Sequence, residues 1–228
     1  MPASTVHAGI ALVVAAALLG AAYDRRALAL LAVVLVFPEL DAIPGWWLPG
    51  AHRAMFHTLV LAGLAAAAIV WDTRHRETSW LRERGGDWAV RVAWTGLVVH
   101  VFAHVLLDYA HLSGINLVYP IGDQFFRLEG ELVYSTADGF VQTFVDLGGE
   151  EGQEVGGTTI DLGQQGSTED VHVATPADPE AGGGIDQDTE RRVPIAVDGW
   201  QLYAILLGLF TVGAKRLQGE PPADTHEE

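Results

Sequence analysis

Glu39 and Asp41, followed by His52 and His57, place two carboxylates and two imidazoles on one short stretch between two strongly apolar segments. A second set, His100, His104 and Asp108, follows at four-residue intervals inside a later apolar segment. Nitrogen and oxygen donors of this kind bind divalent cations, and ionisable groups at membrane depth are costly unless something holds them. With no cysteine in the chain, any metal takes imidazole and carboxylate ligands. These residues describe a metal site at a membrane surface.

Residues four apart share a helix face, so the spacing predicts His100, His104 and Asp108 as one polar stripe. Asp41 at the end of one helix and His57 at the start of the next would meet beside it. Glu39 and His52 are then further ligands, a bridge between two ions, or a general base. Two divalent ions about 3.5–4 Å apart would grip a phosphoryl oxygen and acidify a bridging water. Plainer roles exist for each residue singly. His100 could hydrogen-bond a neighbouring helix, Asp41 could end a helix, and Asp108 could pair with an arginine. Arg53 could meet a substrate phosphate or a carboxylate. For the joint set the metal is the better account, because each charge in hydrocarbon costs at least ~2.5–3.5 kcal/mol.

The elements that must position these groups are legible in the apolar runs at residues 6–22, 27–37, 56–71, 89–107 and 200–214. Pro38 is expected to break the second helix. Residues 43–50 read as a turn-rich loop whose paired Trp46 and Trp47 suit a membrane interface. Residues 72–87 read as a polar linker, and residues 119–147 as a β-hairpin by their alternation. Residues 148–192 are acidic and Gly-rich, which reads as a disordered loop. The expected architecture is an all-α multi-pass membrane protein of about five transmembrane or partly re-entrant helices, with a small extracytoplasmic hairpin. Its parts are a helical metal-site core over 1–118, the hairpin over 119–147, the acidic loop over 148–192, a last span over 193–217 and an acidic tail over 218–228.

The chain has 228 residues, half of them hydrophobic, yet a formal net charge of -16. A single lysine, Lys215, stands against twelve arginines, a balance that fits a halophilic protein hydrated at high salt. The acidic insert alone could also produce it. Such acidity argues against direct binding of nucleic acid, whose phosphates need Lys and Arg. The basic residues give an orientation under the positive-inside rule. Arg25 and Arg26, the group Arg74, Arg76, Arg82, Arg84 and Arg91, and Lys215 with Arg216 fall in alternate connections. Five crossings with an outside N-terminus put all of them in the cytoplasm. The same assignment places the metal site, His7 and the acidic insert outside.

Pro38-Glu39-Leu40-Asp41, then His52-Arg53-Ala54-Met55-Phe56-His57-Thr58, then His104 and Asp108 resemble the YdjM-like family of membrane-bound metal-dependent hydrolases. That family carries Pro-Asp-Leu-Asp, His-Arg-Gly-x-x-His-Ser and His-x3-Asp motifs in this order, and the resemblance covers roughly residues 5–125. It implies Asp41, His52, His57, His104 and Asp108 as metal-binding residues, with Thr5 to His7 matching a Thr-His near the family's N-terminus. It also implies a distant similarity to the zinc-dependent phospholipase C and P1 nuclease superfamily. Glu39 departs from the family's first Asp, and Ala54 and Phe56 from its small and hydroxyl residues. The expected cofactor is zinc, or alternatively manganese, as one to three ions.

The expected activity is hydrolysis of a phosphoester, on a phospholipid or lipid-linked phosphate, with the bilayer as constant partner. An alternative is a non-catalytic platform clasped by a structural metal, since one family member is named for association with the LexA repressor. No residue here marks a protein-binding surface for that role. A proton or metal carrier ranks last, because the cytoplasmic halves of the spans are nearly pure Ala, Leu and Val.

Overall fold

The computed structural model describes residues 4–48, 50–110, 114–130, 132–136, 139–144, 163–171 and 195–217. Among these residues, five helical runs lie between two ends. The first, α1 (Ser4–Leu18), leads through a tight turn into α2 (Arg25–Val36). The turn is fixed by Asp24, whose carboxylate accepts the Ala27 N–H at 2.7 Å and the Trp88 indole N–H at 3.0 Å. The first bond caps α2 and satisfies a donor that helix geometry leaves open.

Pro38 does not break this helix. It starts a 3-10 turn over Pro38–Asp41 that runs directly into the short α3 (Ala42–Gly45). A proline at the first position of a turn has no N–H to lose there, so the chain tightens instead of ending. The helical run therefore spans Arg25–Gly45, and the loop with the paired Trp begins only at Trp46.

Thr58 caps α4 (Leu59–Val70) by accepting the Val60 N–H. The linker that follows is more structured than its polarity predicts. Asp72 accepts from Ser79 Oγ and from the N–H groups of Trp80 and Leu81, which winds the chain into α5 (Trp80–Val98). Gly86, at φ 61°, kinks α5 early. Its continuation is π-helical over Val99–Val105 and then α6 (Leu106–Tyr109). Arg25–Gly45 and Trp80–Tyr109 are long and apolar enough to cross a membrane.

The last helix, α7 (Gly199–Leu217), lies along α1. A methyl group on Gly9 or Gly208 would strike the facing backbone, so the two helices touch main chain to main chain there. Small residues permit such close approach between apolar helices. Thr5 Oγ1 donates to Ile195 O at one end, and Lys215 lies 5.9 Å from the Tyr23 ring at the other, so α7 runs parallel to α1. Arg26 over Trp88 and Arg91 against Leu19 O belong to that second end. Arg26, Arg91 and Lys215 thus lie at the end opposite the ionisable cluster.

The expected hairpin exists as β2 (Leu132–Ser135) paired with β3 (Gly139–Gln142). The segment Phe125–Phe126, expected to share it, is a separate strand β1 paired antiparallel with β4 (Gln164–Gly166). β4 lies in the stretch read as disordered, and residues 163–171 of that stretch are placed against the loop carrying the histidines. Val171 packs on Ala54 and Phe125, and Thr168 is held by Asp123. The remainder of the acidic insert, His111, His172 and the tail lie outside the described residues.

Candidate metal centre

Asp41 organises the loop between α3 and α4. Its Oδ1 accepts the Nδ1–H of His52 at 2.8 Å. Its Oδ2 accepts the Nδ1–H of His57 at 2.8 Å and the backbone N–H groups of Arg53 and Phe56 at 3.2 Å. A fully buried carboxylate that takes four donors fixes both rings and the backbone between them. In the neutral rings the N–H is then committed to Nδ1, which leaves the lone pair on Nε2. His7 is fixed in the same sense by the Ala103 carbonyl, 2.9 Å from its Nδ1.

The Nε2 atoms of His57 and His7 face the α5–α6 run. His57 Nε2 lies 3.0 Å from His104 Nε2 and 3.3 Å from Asp108 Oδ2. His104 Nε2 lies 3.8 Å from the same carboxylate oxygen. Ligands of a tetrahedral zinc at about 2.0–2.1 Å stand roughly 3.3 Å from one another, so His57, His104 and Asp108 have the separation and chemistry to hold one. All are buried. The other oxygen of Asp108 faces different partners, Arg53 Nη2 at 3.1 Å and His7 Nε2 at 3.5 Å.

Glu39 stands at the rim. Its Oε1 is 4.0 Å from His104 Nε2 and 3.4 Å from Ser4 Oγ, and its side chain is 25% exposed, which makes it the ionisable group of the cluster that solvent reaches. Among the described residues His52 keeps its Nε2 without a hydrogen-bond partner, and it meets the cluster through Asp41 and edge-on against the His57 ring. His100 is not part of the convergence. Wider π-helical turns under-rotate a four-residue step relative to an α-helix, so His104 and Asp108 meet the loop while His100 lines an apolar cleft beside α2 and α4.

Sequence reasoning left Arg53 open between a phosphate and a carboxylate. The carboxylate is the answer: the side chain is fully buried, bound to Asp108 and to Gly114 O, with its backbone at φ 66°. Asn116 was not singled out, yet it is buried, takes Arg53 O on its N–H and donates to Asp123. Nothing in its sequence neighbourhood signals that role.

The sequence pattern of the YdjM inner membrane protein family matches residues 1–160. The chain belongs to that family. No curated protein and no solved structure matches it. The match to the YdjM family takes in the loop of Asp41 and His57 and the helix of His104 and Asp108, and with the two long apolar helices it associates the chain with a membrane.

Proton competition gives a direct check on the site. His57 sits in the loop, and burial would lower its pKa, but hydrogen bonds to Asp108 and Asp41 outweigh burial and raise it to about 9. A histidine above its ordinary value of 6.5 stabilises the metal-free fold below pH 6.5 and loses that contribution as pH rises through about 9. A metal ion held by His57 would act oppositely, because it must displace this proton. Calorimetry at pH 7 in two buffers of different ionisation enthalpy should show about one proton released per zinc, with affinity rising roughly tenfold per pH unit toward 9. Uptake without proton release would mean that His57 is not a ligand.

Proposed function

We propose that the protein is a membrane-bound metal-dependent hydrolase of phosphoesters. The observation that carries the reading is the convergence of three ligands among the described residues. His57, His104 and Asp108 meet at one point, whereas His7 turns to the far oxygen of Asp108. Structural zinc sites are closed by four protein ligands, and catalytic ones keep three with a position open. Zinc, when bound, would supply Lewis acidity and bring a water's pKa to about 7.

The chain's own residues supply the rest. Asp41 orients His57 and, through the Arg53 and Phe56 N–H groups, the loop that carries it. Arg53 neutralises one oxygen of Asp108 and aims the other at the histidines. Glu39, at the rim, can take a proton from an entering water or leaving oxygen, since it is a carboxylate open to solvent within reach of the cluster. Five crossings with the site outside are supported by Arg26, Arg91 and Lys215 at the opposite end and by the parallel run of α1 and α7. Headgroup depth makes a phospholipid or lipid-linked phosphate the fitting substrate.

The test is hydrolysis of a panel of phosphoesters by purified, zinc-loaded protein beside the Glu39→Gln form. Cleavage that falls at least a hundredfold in Glu39→Gln while zinc content holds supports the assignment. A panel left intact by zinc-loaded wild type defeats it.

A further inference from the structure

A cleft of about 550 Å3 opens between α2, α4 and α5, within the size range of small-molecule sites. Its walls are mostly apolar, with Leu31 and Val34 from α2, Ala62 and Ala65 from α4, and Ala93 from α5. Leu30 and Val33 on the rim are exposed, so the cleft faces sideways, toward the surroundings of the helices. One polar side chain lines it. His100 is 7% exposed, and its Nε2 has no hydrogen-bond partner among the described residues.

The cleft ends beside the metal centre. Phe37, which lines it, packs at a tilt on Phe56 with ring centroids 4.9 Å apart, and Phe56 adjoins His57 in sequence. His100 precedes His104 on the same run of helix. From His100 to Trp88 along α5 is about 18 Å at 1.5 Å per residue. An extended acyl chain of about 18 Å therefore fits along the cleft.

We propose that this cleft holds one acyl chain of a bilayer phospholipid, with His100 donating to or accepting from the polar atoms where that chain joins its headgroup, beside the metal centre. In hydrocarbon, a buried imidazole nitrogen without a protein partner needs a polar group from the ligand. An acyl chain brings an ester carbonyl to that depth. A second copy of the chain would cover the apolar walls but bring no ester oxygen to His100. That the held lipid is the substrate rests on the hydrolase reading above. The seating of the chain does not.

The test reconstitutes the full chain in phosphatidylethanolamine and phosphatidylglycerol vesicles containing a phospholipid with a diazirine on its acyl chain. Photolysis should place the label on cleft residues of α2, α4 and α5 at least fivefold above the exposed face of α7. Filling the cleft with Ala93→Phe, or with Ala65→Phe from the opposite wall should the first not fold, should remove most of that label with zinc content unchanged. His100→Phe should weaken retention of the labelled lipid severalfold, and His100→Gln should restore it. Equal labelling of the α7 face, indifference to both cleft-filling substitutions, or a dimer cross-linked through the cleft would each overturn the proposal. Label in the cleft without any bound zinc would keep the acyl-chain site and defeat the hydrolase reading instead.

Discussion

Alanine at His104 or at His57 is expected to take the purified protein from near-stoichiometric zinc to less than a tenth of that, measured by mass spectrometry of metals in detergent. Each residue supplies one of the three converging donors, with their Nε2 atoms 3.0 Å apart. Removing either leaves two ligands, too few to retain zinc through purification. Asp41→Asn should behave differently. Asp41 spends both oxygens on ring and backbone N–H groups. Its loss therefore acts through the orientation of His57, where partners of this kind are worth about 10–100-fold in metal affinity. His100→Ala should keep its zinc, because the π-helical turn points that ring into the apolar cleft. Retention of metal in both His57→Ala and His104→Ala would turn the cluster into a hydrogen-bond network between helices. Loss of metal in His100→Ala would return His100 to the site.

That contrast measures how far the sequence could be read. The His-x3-Asp spacing and the short loop behind it were enough to bring His57, His104 and Asp108 to one place, because a four-residue step on a helix and a brief reversal leave few alternatives. The same rule misplaced His100. A π-helical stretch is rare and has no sequence signature, so nothing in Val99–Val105 announced the change of rotation. Ligand and orienter were also indistinguishable in advance, since both are a carboxylate beside a histidine. Only the direction of each ring, set by Asp41 and by the Ala103 carbonyl, separates them. Pro38 was misjudged because a helix-breaking residue is harmless at the first position of a turn. The pairing of Phe125–Phe126 with Gln164–Gly166 had no signal either. Gln and Gly show no alternation, and the strand is held by its partner and by the turn at Ser167–Asp170 rather than by its own composition.

Arg53→Met is expected to destabilise the protein by about 3–5 kcal/mol, the cost of leaving one member of a buried ion pair alone, read by denaturant unfolding in detergent. Against a typical total of about 5–15 kcal/mol this is severe. The Arg53 guanidinium and Asp108 carboxylate are both buried and 3.1 Å apart, and the second guanidinium nitrogen is held by Gly114 O. Lysine should not rescue, because a point charge cannot bridge two acceptors as the planar fork does. The backbone makes the position more telling. A φ of 66° is disfavoured for any residue with a side chain, and Arg53→Gly would relieve that conformation while still taking the guanidinium from Asp108. If backbone strain dominates, glycine is at least as stable as wild type. If the ion pair dominates, glycine falls nearly as far as methionine. The geometry favours the ion pair, because the strained turn is itself what carries the guanidinium inward. The double variant Arg53→Met with Asp108→Leu should then recover most of the lost stability, since an apolar pair of similar bulk replaces a buried charge pair at little cost. It should recover no zinc, because Asp108 Oδ2 is gone. Stability regained without metal would show that Arg53 serves the fold through Asp108, and the metal through the same carboxylate's other oxygen.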